Sequence, residues 1–315
     1  MATGNVDFGT DGFISTTLQH YRKTLEDVIF SSKPLLWMIK NKGVQTQHGR
    51  SIVQGLMYGE ITSKGSYADD DTFTPPTREG ITSAEFPWRF YRASIFFTGP
   101  ELAQNSGKEG IISLVKTRVK QAEMSVSEDL NRLLFADGTG NSNKDFQGLT
   151  ALVAAGNTYA GIDRTDANNS WWRGGVTAVG GALTLPILRK GYNDPSEGTA
   201  QPTNIITTQE GFETYEGFLQ DQVRHEDVSM GDAGFQTLMY KAAPIVFDRH
   251  CDDGYLYYLN MDYLDFVSLN GRWFEWSDWL VPVNQDAKYK NLYLAGNLVT
   301  SNAQRHQVLT GLTNA

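Results

Sequence analysis

One stretch, Ser106–Ala136, limits the possible folds more than any other part of the sequence. Its apolar residues recur at steps of three and four, which is the spacing of one face of an α-helix. A helix of about 30 residues, rising about 1.5 Å per residue, is roughly 45 Å long, so an extended structure has to lie along it. The apolar positions are Ile112, Val115, Val119, Ala122, Val126, Leu130 and Leu133.

Both ends of this predicted helix carry local signals. Ser106 followed by Glu109 fits a capping box, in which each side chain accepts a hydrogen bond from a free N–H of the first turn. Gly138 follows the last apolar residue, where a helix end often takes a left-handed conformation. The stretch is therefore interpreted as a spine of the fold.

The composition is that of a folded, loop-rich protein. Of 315 residues, 40% are hydrophobic and 12% aromatic, and 31 are glycine. The single cysteine, Cys251, excludes an internal disulfide and a multi-cysteine zinc site. No apolar run approaches the about 20 residues of a membrane span. The first residues lack the basic start and apolar core of a signal peptide, so we expect an intracellular protein.

The formal net charge of −9 is unevenly distributed. Residues 193–232 hold nine acidic residues and one basic residue, Arg224. We interpret this segment as a solvated surface. A chain of this charge balance is not expected to bind nucleic acid by neutralising many phosphates.

The first third of the chain predicts an arm and a long excursion. Residues 1–15 predict an extended arm, Thr16–Phe30 a helix, and Leu35–Lys40 a further turn or two. Strand-like segments at Ser51–Tyr58 and Glu85–Phe97 flank a polar, turn-rich middle, and we expect them to pair as a long hairpin. Because a two-stranded ribbon is marginally stable alone, this hairpin needs another surface to lie on.

The middle of the chain predicts a compact α/β or α+β subdomain. Adjacent Trp171 and Trp172 indicate an anchoring corner, and residues 174–192 leave the extent of a helix open. Pro202–Ile206 is typical of a buried strand. Thr207 with Glu210 is then expected to cap a helix. Its apolar face would be Phe212, Tyr215, Leu219 and Val223.

Strand signals dominate the last third. Asn270-Gly271 predicts a hairpin turn between two of the strands, and Tyr289–Leu312 predicts one long strand or ribbon. The other predicted strands are Ile245–Phe247, Tyr255–Leu259, Phe266–Leu269 and Trp273–Trp276.

Motifs for catalysis, phosphate binding or metal binding are missing from the sequence. His250-Cys251-Asp252-Asp253 is interpreted as a turn after a strand, because adjacent strand residues point to opposite faces. Asp69-Asp70-Asp71 lacks the spaced ligands of a calcium loop and is interpreted as a solvated tip or a salt-bridge partner for another subunit. The sequence therefore predicts no catalytic residue, no metal and no cofactor.

The order of these parts resembles that of a tailed-bacteriophage major capsid protein with the Hong Kong 97-type fold. The resemblance covers nearly the whole chain by architecture, and its motifs are moderately specific. The residues that carry it are Gly148–Val153, Thr158–Arg164, Trp171-Trp172, Pro202–Thr207 followed by a helix near Glu210, and Asn302–Arg305.

This resemblance implies an α+β fold with four parts. They are an N-terminal arm with its helix at 1–42, an extended E-loop hairpin at 43–97, a peripheral domain at 98–144 and 251–315 that holds the spine helix (about 106–136), and an axial α/β domain at 145–250.

The resemblance also implies self-assembly as pentamers and hexamers into an icosahedral shell that encloses double-stranded DNA without reading its sequence. The expected partners are further copies, a separate scaffolding protein, a portal protein and a candidate decoration protein. No association with a membrane is expected. The expected location is the virion, and the host cytoplasm during assembly. Some capsid proteins crosslink an E-loop lysine to a neighbour. Here that lysine is Lys64, whose reaction partners match no motif, so we expect it to form an intersubunit ion pair. The candidates for similar contacts are Asp69, Asp70, Asp71, Arg78 and Glu79.

Two alternatives stay open. A subunit of an encapsulin-like compartment would share the fold and enclose a cargo enzyme instead of a genome. A carbohydrate-active or sugar-binding protein would use the tryptophans for stacking and would need paired carboxylates across a cleft beside them.

Overall fold

The computed structural model describes residues 33–61, 64–72, 80–104, 114–219 and 237–313. The predicted arm 1–15, the predicted helix Thr16–Phe30 and the capping box of Ser106 and Glu109 lie outside the described residues. The α-helical segments are α1 (Pro34–Lys42), α2 (Gly99–Gln104), α3 (Leu114–Phe135), the left-handed turn α4 (Gly140–Asn143), α5 (Leu149–Leu152), α6 (Leu185–Asn193) and α7 (Gln209–Phe218).

Strands make up much of the rest. They are β1 (Gln45–Gln47), β2 (Ile52–Met57), β3 (Ile81–Phe86), β4 (Arg89–Thr98), β5 (Thr158–Tyr159), β6 (Ile162–Asp163), β7 (Gly175–Ala182), β8 (Asn204–Thr207), β9 (Leu238–Tyr240), β10 (Ala243–Phe247), β11 (Leu256–Leu259), β12 (Leu264–Leu269), β13 (Glu275–Trp276), β14 (Ala287–Thr300) and β15 (Gln307–Thr313). Short 3-10 helices span Ala167–Trp172, Met261–Tyr263 and Ala303–Arg305.

The helix α3 confirms the predicted amphipathic pattern over its described length. Ala122, Val126, Leu130 and Leu133 are each at most 9% exposed, as expected for one packed face. The helix ends at Phe135, and Gly138 has a φ of +81°, the left-handed conformation that the sequence predicts there.

The chain divides into two compact units, and the first comprises described parts of Tyr91–Asp129 and Phe274–Leu294. In this unit, β4 and β13 pair with β14, and the α3 residue Ala122 packs on Ile95 and Phe97 of β4. The guanidinium of Arg118 lies 4.9 Å from the ring centroid of Phe97 and forms an ion pair with Glu101 at 3.1 Å. The unit therefore packs one helix on one sheet face.

The second unit comprises the described parts of Ser32–Phe90, Leu130–Trp273 and Ala295–Ala315. Its main sheet has the order β7-β15-β11-β8-β10-β9, in which β8 runs parallel to β10 and β7 parallel to β15. The helices α6 and α7 contribute Leu188, Tyr192, Phe212 and Tyr215 to the apolar core with this sheet. The predicted α/β subdomain is therefore present.

A buried polar network joins three elements of the second unit. The side chain of Asn131 on α3 accepts a hydrogen bond from Leu36 N of α1 at 3.2 Å. Its Nδ2 donates to both carboxylate oxygens of Asp248 at 3.0 Å. Asn131 and Asp248 are at most 1% exposed, so each satisfies the other's hydrogen-bonding capacity in place of water.

The tryptophan corner is confirmed. Trp172 is buried and its Nε1 donates to Tyr159 O at 3.2 Å. The guanidinium of buried Arg164 lies 4.5 Å from the ring centroid of Tyr159, and its Nη1 donates to Ala151 O at 3.0 Å. Burial lowers the pKa of Arg164 to about 10, which leaves the side chain charged at neutral pH.

Several local predictions differ from the structure. The α7 cap is Thr208, whose Oγ1 accepts from Gly211 N, while Thr207 Oγ1 donates to Tyr255 O. Only the first two residues of the predicted strand Glu85–Phe97 belong to β3, which begins at Ile81 and pairs with β2, and most of the rest forms β4, which pairs with β14. A hairpin is therefore confirmed, but its second strand begins four residues earlier than predicted and the predicted strand is split.

The C-terminal strands also pair differently. Asn270-Gly271 does form a turn, with Gly271 at a φ of +70°, but β12 and β13 each pair with β14 and not with one another. The predicted single strand Tyr289–Leu312 is two strands, β14 and β15, separated by a 3-10 helix. They belong to different sheets, because β15 pairs with β7 and β11.

Candidate subunit-contact surface

The hairpin of β2 and β3 belongs to the second unit and packs one of its faces against the rest of that unit. Ile52, Leu56, Ala84 and Phe86 lie on this face and are at most 7% exposed. The ring of Phe86 meets that of Tyr159 edge-on, with centroids 5.3 Å apart. Burial of this face fixes the register of the hairpin, since a slip of one residue would expose it.

The opposite face of the same hairpin is exposed and carries three apolar side chains beside Gly55, Ser83 and Glu85. Val53, Met57 and Ile81 are 58%, 81% and 62% exposed, and Met57 lies directly opposite Ile81 in the register. We name these three residues the apolar stripe. Burying such side chains fully stabilises a contact by about 1.5–3 kcal/mol each, so the stripe is suited to a contact surface.

Aromatic and main-chain contacts anchor the hairpin. Tyr58 stacks on Trp171 with ring centroids 5.0 Å apart and planes at 19°. Tyr58 N and Gly59 N both donate to Gly80 O, at 2.9 and 3.3 Å. Gly80 has a φ of +61°, and an added Cβ would lie 2.8 Å from Gly59 O, so this close approach requires glycine. The apolar stripe is thereby held in a defined position.

The charged contact candidates lie beyond this anchor, in the hairpin tip. Lys64 forms an ion pair with Glu60 of its own chain, and both side chains are largely exposed, so the pair contributes little to stability. Asp71 Oδ2 accepts from Ala68 N at 2.7 Å and holds a turn. Asp69 and Asp70 lie exposed in that turn, whereas Arg78 and Glu79 lie outside the described residues.

A second exposed apolar segment lies in the first unit. Leu280, Val281 and Val283 are 39%, 65% and 98% exposed, and Leu280 and Tyr289 exchange main-chain hydrogen bonds at 2.9 Å. Trp279 meets the ring of Phe97 edge-on at 5.7 Å. We name Leu280, Val281 and Val283 the apolar loop.

Sequence reasoning missed both apolar surfaces. The spacing of Val53 and Met57 places them on one strand face, but the sequence does not indicate which face of β2 is covered. The contact of Phe86 with Tyr159 decides this, and those two residues are far apart in the chain.

The residues with possible metal or sugar chemistry have structural contacts. His250-Cys251-Asp252-Asp253 forms the turn after β10, as predicted, with Cys251 N donating to Asp248 O at 3.1 Å. Burial, together with the nearby carboxylates, raises the pKa of Cys251. Within the described ranges, no three His, Cys, Asp or Glu side chains cluster as metal ligands, and no helix has the length and apolarity of a membrane span.

The tryptophan rings are largely used in packing. Trp171 stacks on Tyr58, and Trp276 Nε1 donates to Glu123 Oε1 at 3.0 Å. Trp273 packs on Phe266 with ring centroids 5.3 Å apart. These contacts favour packing over sugar stacking.

The fold is similar to solved shell-forming proteins. A capsid protein of cyanophage A-1(L) matches with a TM-score of 0.73 and 18% identity, over 94% of this chain and 97% of that chain. The capsid of Myoviridae phage XM1 matches with a TM-score of 0.59 and 12% identity, over 94% and 97%. The holo-SrpI encapsulin of Synechococcus elongatus PCC 7942 matches with a TM-score of 0.60 and 9% identity, over 95% and 94%. Neither a protein-family model nor a curated protein matches the sequence.

These matches define the class of fold. They span nearly the whole of this chain and of each counterpart, so the protein has the Hong Kong 97-type capsid fold, as the sequence resemblance predicts. At identities of 18% or less, the likeness establishes the fold and not the function.

Proposed function

We propose that this chain is a major capsid protein that self-assembles as pentamers and hexamers into an icosahedral shell enclosing double-stranded DNA. The observation that carries the proposal is the apolar stripe on an anchored hairpin of a Hong Kong 97-type fold. A hairpin with one face packed and exposed apolar side chains on the other face is suited to lie on a second copy.

The parts of the chain then take the roles expected from the family. Residues 1–42 form the arm, 43–97 the E-loop, 98–144 and 251–315 the peripheral domain and 145–250 the axial domain. The strands β11 and β15 belong to 251–315, and in the six-stranded sheet β11 pairs with β8 and β15 with β7, both of the axial range, so this sheet draws strands from both ranges.

Contact between copies would depend on the burial of apolar surface and on charge pairing. The apolar stripe and the apolar loop supply surface whose burial drives association. The charges of Lys64, Asp69, Asp70 and Asp71 at the hairpin tip, together with those of Arg78 and Glu79, would fix register and partner choice more than affinity. Lys64 would exchange its partner Glu60 for one on a neighbour at little cost, because exposed ion pairs are weak.

The proposed partners follow from shell assembly. They are further copies of the chain, a separate scaffolding protein, a portal protein and a candidate decoration protein. Assembly would take place in the host cytoplasm, and the final location would be the virion. A net charge of −9 agrees with holding DNA by enclosure, since this mode needs no strong phosphate-neutralising surface.

An encapsulin-like compartment is the second candidate. The observation that favours it is the fold match to the Synechococcus elongatus encapsulin at a TM-score of 0.60. Such a shell would enclose a cargo enzyme.

Co-expression separates the two candidates. The chain is produced with the products of adjacent genes, and purified shells are tested for packaged nucleic acid and protein. Nuclease-resistant DNA in shells made with a portal and a terminase supports the phage capsid. A stoichiometric enzyme inside shells that form without those proteins supports the compartment and contradicts the capsid proposal.

A further inference from the structure

The strand β7 is an open edge of the six-stranded sheet. Among the described strands it pairs with β15 alone, in a parallel ladder that is regular from Gly175 to Ala178 and shifts beyond it. Val176 is 45% exposed, and Ala178 is also exposed. The strand contains no proline and no charged residue, two of the features that protect an edge from further pairing, and the register shift lies beyond Ala178, so residues 175–178 are the regular part of this edge.

A cavity adjoins this edge. It has a volume of about 220 Å³ and lies between β7 and α6, where the apolar side chains of Val179, Ile187 and Leu309 line it. An engineered cavity of about 150 Å³ holds a benzene molecule, so this one is large enough for a branched aliphatic side chain. Lys190 of α6 supplies a positive charge among the lining residues.

We infer that the β7 edge and this cavity form a docking groove for an extended peptide of another protein, which adds a strand to β7. Its main chain pairs with the free edge, one aliphatic side chain enters the cavity, and an acidic residue two positions further on, on the same face of the added strand, pairs with Lys190. Edge-strand addition gives affinity through main-chain hydrogen bonds and specificity through pockets for alternate side chains. This inference goes beyond shell assembly, because it assigns a binding site within a single subunit.

Two features disfavour a second copy as the occupant. The other edge of the sheet, β9, is 3 residues long and offers a short template. Antiparallel pairing of β7 with the same strand of another copy would place two Lys190 side chains on one face, where like charges repel.

The test uses the full chain and a fluorescein-labelled peptide, Thr-Val-Thr-Ile-Val-Asp-Thr, in which Ile and Asp share one face of the strand. The control peptide has proline at both valine positions, which removes main-chain donors without changing the charge. Fluorescence anisotropy gives the affinity, and hydrogen exchange locates the contact. We expect binding of the first peptide alone, with added protection confined to residues 175–182.

Two protein variants sharpen the test. Lys190→Glu is expected to weaken binding at least about fivefold, while Lys144→Glu, at an exposed lysine elsewhere in the same unit, changes it less than about twofold. Val176→Lys with Ala178→Lys should abolish binding by charging the edge. Equal binding of both peptides, or an unchanged affinity in Lys190→Glu, overturns the inference. Dimerisation of the wild-type chain that the double variant abolishes also overturns it, since a second copy then occupies the edge.

Discussion

Buried polar side chains determine how the second unit holds together at the scale of single residues. His306 is fully buried, with its Nδ1 accepting from Asn260 N at 3.4 Å and its Nε2 placed 3.1 Å from Thr300 Oγ1. Accepting at Nδ1 requires the neutral tautomer that carries its proton on Nε2. Burial, and then the charges of Lys42 and Arg164, lowers the pKa of His306 to about 3.

This histidine predicts acid sensitivity. The unfolded chain binds a proton at His306 near pH 6.5, whereas the folded chain binds it near pH 3, so the free energy of unfolding rises with pH between these values. Each pH unit is worth about 1.4 kcal/mol, so His306 lowers the free energy of unfolding by about 2 kcal/mol at pH 5 relative to pH 7.5. Urea unfolding at both pH values, for the wild type and His306→Gln, measures the difference. An equal pH dependence in the two proteins contradicts the prediction.

The network around Asn131 predicts a loss of stability. Asn131→Leu leaves the buried Asp248 carboxylate and Leu36 N without their partner, and we expect a loss of about 2–4 kcal/mol in the free energy of unfolding. Denaturant unfolding measures this, with Asn168→Leu at an exposed position as the control, expected within about 0.5 kcal/mol. A loss in Asn131→Leu no larger than in the control would show that the network contributes nothing.

At the scale of elements, local patterns were predictable and pairings were not. The spacing of apolar residues predicted which face of α3 is packed, because the hydrogen bonds and the side-chain periodicity of a helix depend on residues close in sequence. Asn270-Gly271 correctly predicted a turn, but the pairing of its flanking strands is decided by β14, which is distant in sequence. The Thr207 error has a similar cause, because Thr207 and Thr208 are equally suitable caps and only the end of β8 selects the second.

The candidate site was predictable in position but not in chemistry. The polar middle of 43–97 indicated a hairpin that needs another surface, and the described hairpin agrees with this. The charged residues of the hairpin can be read from the sequence. The apolar stripe can be predicted only once the packing of Phe86 on Tyr159 is known, because this contact leaves Val53, Met57 and Ile81 on the exposed face. Contacts distant in sequence therefore define the surface.

Substitutions in the apolar stripe are predicted to weaken assembly without lowering the stability of the folded monomer. Val53→Lys with Met57→Lys places charge on the exposed face, and Val53 lies opposite Glu85, so the strand pair itself tolerates the change. We expect assembly to fall at least tenfold at equal protein concentration, while the free energy of unfolding of the monomer changes by less than about 0.5 kcal/mol. Light scattering and denaturant unfolding measure the two quantities.

A matched control distinguishes the stripe from any exposed apolar residue. Leu185 is 45% exposed on α6, outside the hairpin, and Leu185→Lys should leave assembly near the wild-type level. Equal loss in both variants would remove the special role of the stripe.

The exposed carboxylates of the hairpin tip are predicted to make a salt-dependent contribution to assembly. Asp69→Asn with Asp70→Asn removes charges that would pair with a neighbour at about 0.2–1 kcal/mol each, and leaves Asp71 to hold the turn. We expect weaker assembly at low salt and little change at high salt, because salt screens exposed pairs. The concentration needed for assembly measures this, with exposed Asp253→Asn as the control. A loss that is the same at both salt concentrations would assign the tip a role other than charge pairing.

At the scale of the whole molecule, the central claim is that many copies of this chain close into a shell. The Hong Kong 97-type fold and two exposed apolar surfaces, one in each compact unit, support it together. A subunit with such surfaces is expected to be stable mainly in association, since their burial supplies free energy that the isolated chain lacks.

Negative-stain electron microscopy with light scattering on the purified chain, alone and with the proposed scaffolding protein, tests this claim most directly. The account predicts closed shells, or uniform pentamers and hexamers, in at least one of the two conditions. A 35.0 kDa monomer that persists in both conditions at high protein concentration would contradict it.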